Sequence, residues 1–164
     1  MHRDGVGHKR QEIVKQVIDK NKSVRDFKTY LPVANAVKKL KIWKNQGVEI
    51  CYLSPLTDSK KAREDERIVF KEDTRVEKMV LDNNNFPPGR IYHRKSNENY
   101  KDVVEKIKPL PNIIVEDDCE SIGKDQITYP TLKAELKKKI KSIIVKEFGG
   151  IDHLPDKLSD LLQY

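Results

Sequence analysis

Three short runs of β-branched and aromatic residues, VEICYL (48–53), NIIVE (112–116) and SIIVKEF (142–148), alternate along the chain with segments of helical period. Each run is nearly continuous in apolar character, as strands buried on both faces are, and lacks the in/out alternation of a sheet with one wet face. A shorter run, RIYH (90–93), stands between the first two. Strands of this kind, separated by helices, predict an α/β fold: a mostly parallel sheet with helices on both faces.

The helical segments are readable from their periodicity. Residues 10–20 place Ile13, Val14, Val17 and Ile18 on one face. Pro32 opens a second helix, where a missing N–H costs nothing, and Gly47 closes it. Val33, Val37, Leu40 and Trp43 recur along it at steps of three and four, which predicts a core position for Trp43. A charged helix is expected from Asp58 or Ser59 to about Leu81, before the turn NNNFPPG (83–89). Helices are also expected over 98–108 and 131–141, with a short one closing the chain. The expectation is one domain over residues 1–164, with residues 1–30 as an N-terminal helical extension. A chain of 164 residues buries roughly 70% of its unfolded surface, enough for a core without staples.

Net charge is +7. That fits a lysine-rich solvated surface, and it also fits a polyanionic partner, a phosphorylated small molecule or a nucleic acid. Aromatic residues are only 7% and are not seen to interleave with the basic ones, which argues against a platform for stacking single strands. The two cysteines, Cys51 and Cys119, are isolated and read as free thiols of a reducing compartment. No apolar run approaches the 18 or so residues of a membrane span, and MHRDGVGHKRQE has no signal-peptide core. A cytoplasmic location and no membrane partner are the expectation.

In open α/β sheets ligands bind at the carboxyl ends of the strands, so what each strand runs into matters. VEICYL runs into Ser54, RIYH into Arg94 and Lys95, and NIIVE into Asp117 and Asp118. Three consecutive acids, Glu116 to Asp118, repel one another unless solvated or neutralised. A hydroxyl, a cation and a carboxylate pair suit a phosphoryl group held with magnesium, which takes hard oxygens and usually one or two protein carboxylates.

These residues resemble the haloacid dehalogenase superfamily, whose members are mostly magnesium-dependent phosphatases. The closer likeness is to an archaeal and bacterial branch of it, through LKIWKNQGVEICYL (40–53), EDDCESIG (116–123) and VKEFGGIDHLP (145–155). It covers roughly residues 24–155. The resemblance implies a HAD-like Rossmannoid sheet, Ser54 and one of Arg94 or Lys95 on phosphate, and Asp117 and Asp118 at magnesium, with Glu120 helping through water. The connection between strands 48–53 and 90–93 is too modest for a large cap, which leaves room for large substrates.

One motif of that superfamily is missing. Its first strand ends in Asp-x-Asp, the first aspartate a nucleophile and the second a general acid and base. This sequence has no Asp-x-Asp, and its one Asp-Gly pair, Asp4-Gly5, follows no strand. In relatives Met-His-Arg comes just after that motif, so the resemblance implies that the catalytic strand lies upstream of Met1. The chain as given is then a hydrolase relative without its nucleophile. The absent strand is central, between the strands of VEICYL and NIIVE, and its loss leaves each without a neighbour. Unpaired buried backbone groups cost about 1–3 kcal/mol each, against a net stability of about 5–15 kcal/mol for a domain.

Three further expectations concern single residues. His153 reads as a loop-to-helix capping residue. Cys119, beside three acids, reads as packing and not as a nucleophile. His2 and Arg3 are expected to be mobile.

Overall fold

The computed structural model describes residues 2–3, 30–58, 64–118, 127–146 and 149–164. The helix expected over 10–20, the Asp4-Gly5 pair, Cys119 and Glu120 lie outside them. His2–Arg3 (β1) pairs antiparallel with Tyr30–Leu31 (β2), so the backbone expected to be mobile forms a two-residue ladder. Then follow α1 (Ala36–Asn45), β3 (Cys51–Asp58), α2 (Glu64–Asn83), β4 (Arg90–Lys95) and α3 (Tyr100–Val104). After these come β5 (Ile113–Asp117), a 3-10 turn at Tyr129–Thr131, α4 (Ala134–Lys137), β6 (Lys141–Val145) and α5 (Leu158–Gln163). The architecture is α/β, and both long strand pairings are parallel.

The strands form separate pairs. β3 lies beside β4 and β5 beside β6, and no ladder joins β3 to β5 among the described residues. Apolar clusters pack on both faces of the β5–β6 pair, although Ile144 remains 48% exposed. On one face α1 and the C-terminal segment gather Trp43, Ile143, Val145, Leu154 and Leu161. On the other, α3 and the 129–140 segment gather Val104, Leu132 and Ile140. The β3–β4 pair carries α2, with the Phe70 ring edge-on to His93 at 5.6 Å.

The first strand departs from its expected place. It begins at Cys51 and runs to Asp58, whereas Val48 packs into the Trp43 cluster and Ile50 is buried ahead of the ladder. It is also wetter than a doubly buried strand. Cys51 is exposed and Leu53 is 37% exposed, as is Val115 of β5 at 38%. Water therefore reaches these strands, and the penalty for buried, unpaired backbone is not incurred in full.

Two helices are shorter than their patterns. The segment 98–108 is helical over Tyr100–Val104 alone, opened by a capping box in which the Asp102 carboxylate accepts the Asn99 N–H at 2.8 Å. The segment 131–141 holds only the four residues of α4. Its period-four apolar residues Leu132, Leu136 and Ile140 still meet in one cluster. His153 caps nothing: α5 starts after Lys157, and His153 tilts toward Tyr164 with centroids 6.4 Å apart. Its neighbour Asp152 does the anchoring, accepting the Asn35 N–H that precedes α1 at 3.1 Å.

The turn before β4 has a measurable signature. The Tyr52 phenol donates to the Pro87 carbonyl at 2.6 Å, and burial pushes its pKa up to about 12. The folded value lies above the unfolded one, so the stabilisation is fully present below about pH 10 and is lost as pH rises toward 12. A wild-type alkaline unfolding step in that window, weakened in Tyr52→Phe, is expected by circular dichroism.

Candidate phosphate and metal site

Ser54 sits where β3 loses its regular register, since the pairing with β4 shifts between Ser54 and Thr57. Its Oγ accepts the Leu56 N–H at 3.1 Å, a local turn that stabilises the irregularity, and the residue is 2% exposed. Its ladder partner is His93. The His93 Nε2 lies 2.8 Å from a Glu77 carboxylate oxygen on α2, with both side chains mostly shielded. Neither His93 nor Glu77 stands out in the sequence. The contact follows from how α2 packs, which periodicity does not give.

Strand alternation separates the two candidate cations. Arg94 belongs with Arg90 and Tyr92 on one face of β4, and its guanidinium stacks on Tyr100 with 4.2 Å to the ring centroid. Lys95 alternates with it, on the face of His93, and is exposed. The Lys95 N–H donates to Glu98, whose carboxyl is held below the usual range by the Lys106 ammonium and then by this bond.

The acidic run resolves into individual tasks. The Glu116 carboxylate accepts the N–H groups of Thr128 at 2.6 Å and Tyr129 at 3.0 Å, fixing the start of the 3-10 turn. Asp118 donates its N–H to Val145 and holds the Lys146 ammonium at 2.8 Å. Asp117 ends β5 and is exposed. A cation does sit among the acids, and it belongs to the chain itself. Lys146 was legible in principle: the parallel register sets Asp117 opposite Val145, so the next residues face one another.

Two adjacent carboxylates are the hard-oxygen set magnesium accepts from a protein, with water completing its shell. Here a metal would share Asp118 with Lys146 or displace it. Among the described residues no three His, Cys, Asp or Glu side chains gather at metal-binding distance. Cys51 is free, and desolvation with the nearby Glu49 charge pushes its thiol up, away from a reactive thiolate. No helix of the described residues is long and apolar enough to cross a membrane.

Comparison with protein-family models, with curated proteins and with solved structures finds no match to this chain.

Proposed function

We propose that the chain carries a phosphate-binding site of the haloacid dehalogenase type, with Ser54 and Lys95 or Arg94 directed to phosphate oxygens and Asp117 and Asp118 to magnesium. The observation that carries this reading is strand direction. Both strand pairs are parallel, and Arg94, Lys95, Asp117 and Asp118 stand at the carboxyl ends of β4 and β5, where sheets of this kind take ligands, whereas Ser54 lies mid-strand in β3 at the break in its register with β4. With no Asp-x-Asp in the sequence, this chain binds a phosphorylated small molecule and does not turn it over through an aspartyl-phosphate. A longer chain supplying that motif would be a phosphomonoester hydrolase. The free thiol of Cys51 supports a reducing, cytoplasmic setting.

Calorimetric titration with inorganic phosphate and magnesium tests the reading. Saturable binding without phosphate release from p-nitrophenyl phosphate is expected. Ser54→Ala should weaken phosphate by roughly tenfold or more, the worth of a hydrogen bond to a charged group. Lys146→Met should tighten magnesium by about tenfold, because the competing ammonium is gone. Magnesium affinity indifferent to both Lys146→Met and Asp117→Asn would remove the acidic pair as the metal site.

A further inference from the structure

The sequence RIYHRK looks like an ordinary strand followed by a basic loop, yet its alternation sorts it into two chemistries. The residues of one face, Ile91 and His93, turn toward the Ser54 side. The other face presents Arg90, Tyr92 and Arg94. Arg90 lies over the Tyr92 ring at 5.0 Å and Arg94 over the Tyr100 ring at 4.2 Å. Cys51 and Leu53 pair with Arg90 and Tyr92 in the ladder and share this face, and both are exposed. Basic and aromatic residues thus interleave in space, contrary to the expectation from composition.

We infer that this face of the β3–β4 pair binds single-stranded nucleic acid. A guanidinium backed by a tyrosine ring is a flat cation held in one plane, and its outer face accepts a base by stacking. Its N–H groups lie in the plane of the stack, where they reach phosphate oxygens beside the base. Arg90 is exposed and takes this role, whereas Arg94 is half-buried beside Tyr100 with its Nε shielded from water and belongs to the support of the face. Leu53 beside Tyr92 adds apolar contact for a base or sugar. The net charge of +7 draws a polyanion to the surface, while the exposed Arg90 over Tyr92 makes the surface selective for bases that are not already stacked in a duplex. This reading stands apart from the proposed phosphate site, because it rests on Arg90 and Tyr92 and takes no ligand contact from Ser54, Arg94, Lys95 or the acidic pair.

The test is fluorescence anisotropy of the full chain with a labelled oligouridylate, a duplex of equal length and unlabelled polyphosphate, over a series of salt concentrations. Single strand is expected to bind more tightly than duplex and to resist displacement by polyphosphate. Arg90→Ala should flatten the salt dependence by about 0.7 in the log–log slope, one phosphate contact. Tyr92→Leu should weaken binding roughly 5- to 150-fold, the range of one lost stack, with the slope retained. If Tyr92→Leu fails to fold, Arg90→Lys decides. It keeps the charge and loses the planar stack, so affinity should fall with the slope unchanged. Equal binding of duplex and single strand, equal competition by polyphosphate, or wild-type affinity in Arg90→Lys would overturn the inference. Ser54→Ala should leave oligouridylate binding unchanged, which keeps this result separable from that of the phosphate site.

Discussion

Trp43→Ala is expected to cost about 3–5 kcal/mol, the range for emptying a large aromatic site in a core. Trp43 is 5% exposed and packs among Ile143, Val145, Leu154 and Leu161, residues of β6 and of the C-terminal segment. Its indole N–H donates to the Pro155 carbonyl at 2.9 Å. The one side chain therefore joins α1, a parallel strand and the chain's last helix. Nearby polar contacts repeat the same connection: Lys39 donates to the Leu154 carbonyl at 2.6 Å and pairs with Asp156, and Gln46 donates to the Asp156 carbonyl at 2.7 Å. Against a total of about 5–15 kcal/mol, the loss brings the domain near its threshold. Urea denaturation followed by circular dichroism is the measurement, since Trp43 is the sole tryptophan and its fluorescence disappears with it. Trp43→Phe keeps most of the packing and gives up the hydrogen bond, so it should lose much less. A loss under about 1 kcal/mol in Trp43→Ala would place the core elsewhere.

The core position of Trp43 was legible because helical spacing and a closing glycine agree. Gly47 has φ +88, the left-handed backbone that favours glycine after a helix. The start of that helix was not legible. It begins at Ala36 and not at Pro32, after a turn with Ala34 at φ +46, and Asp152 holds the Asn35 N–H from 117 residues away. In the segment 131–141 the apolar period reported burial and not helix: Leu132 and Ile140 are buried, yet a 3-10 turn holding Pro130 runs over Tyr129–Thr131 and only four residues wind as α-helix. The acidic run shows a similar split. Sequence reasoning required a cation, and one is present, but it is Lys146 across the parallel ladder. Glu116 serves backbone N–H groups, a contact that only the folded chain creates. Arg94 and Lys95 are neighbours in sequence and are divided by the pleat, which is why composition alone hid the stacked face of β4.

Gly89→Ala is expected to cost about 3 kcal/mol, the upper end for overpacking. The reason is contact and not backbone preference. A Cβ at this position would lie 2.2 Å from the Ile50 carbonyl oxygen and 3.0 Å from both its carbon and the Tyr52 ring. The oxygen belongs to backbone just ahead of β3, and Cys51 is paired with Arg90, so neither side can yield without opening the ladder at its first rung. Relief requires β3 and β4 to separate, and the hydrogen bond from Tyr52 to Pro87 lies next to the strain. The variant should therefore show two linked changes. Its urea midpoint falls, and its Tyr52 phenol titrates below about 12, closer to an ordinary tyrosine, as water enters the turn. Ultraviolet titration of wild type and variant, with Tyr52→Phe to assign the signal, measures the second. A large stability loss with the Tyr52 titration unmoved would mean that the strain is relieved away from this junction. Both changes together would show that the close approach of Gly89 to Ile50 sets the register on which Ser54, His93 and the arginine face of β4 all depend.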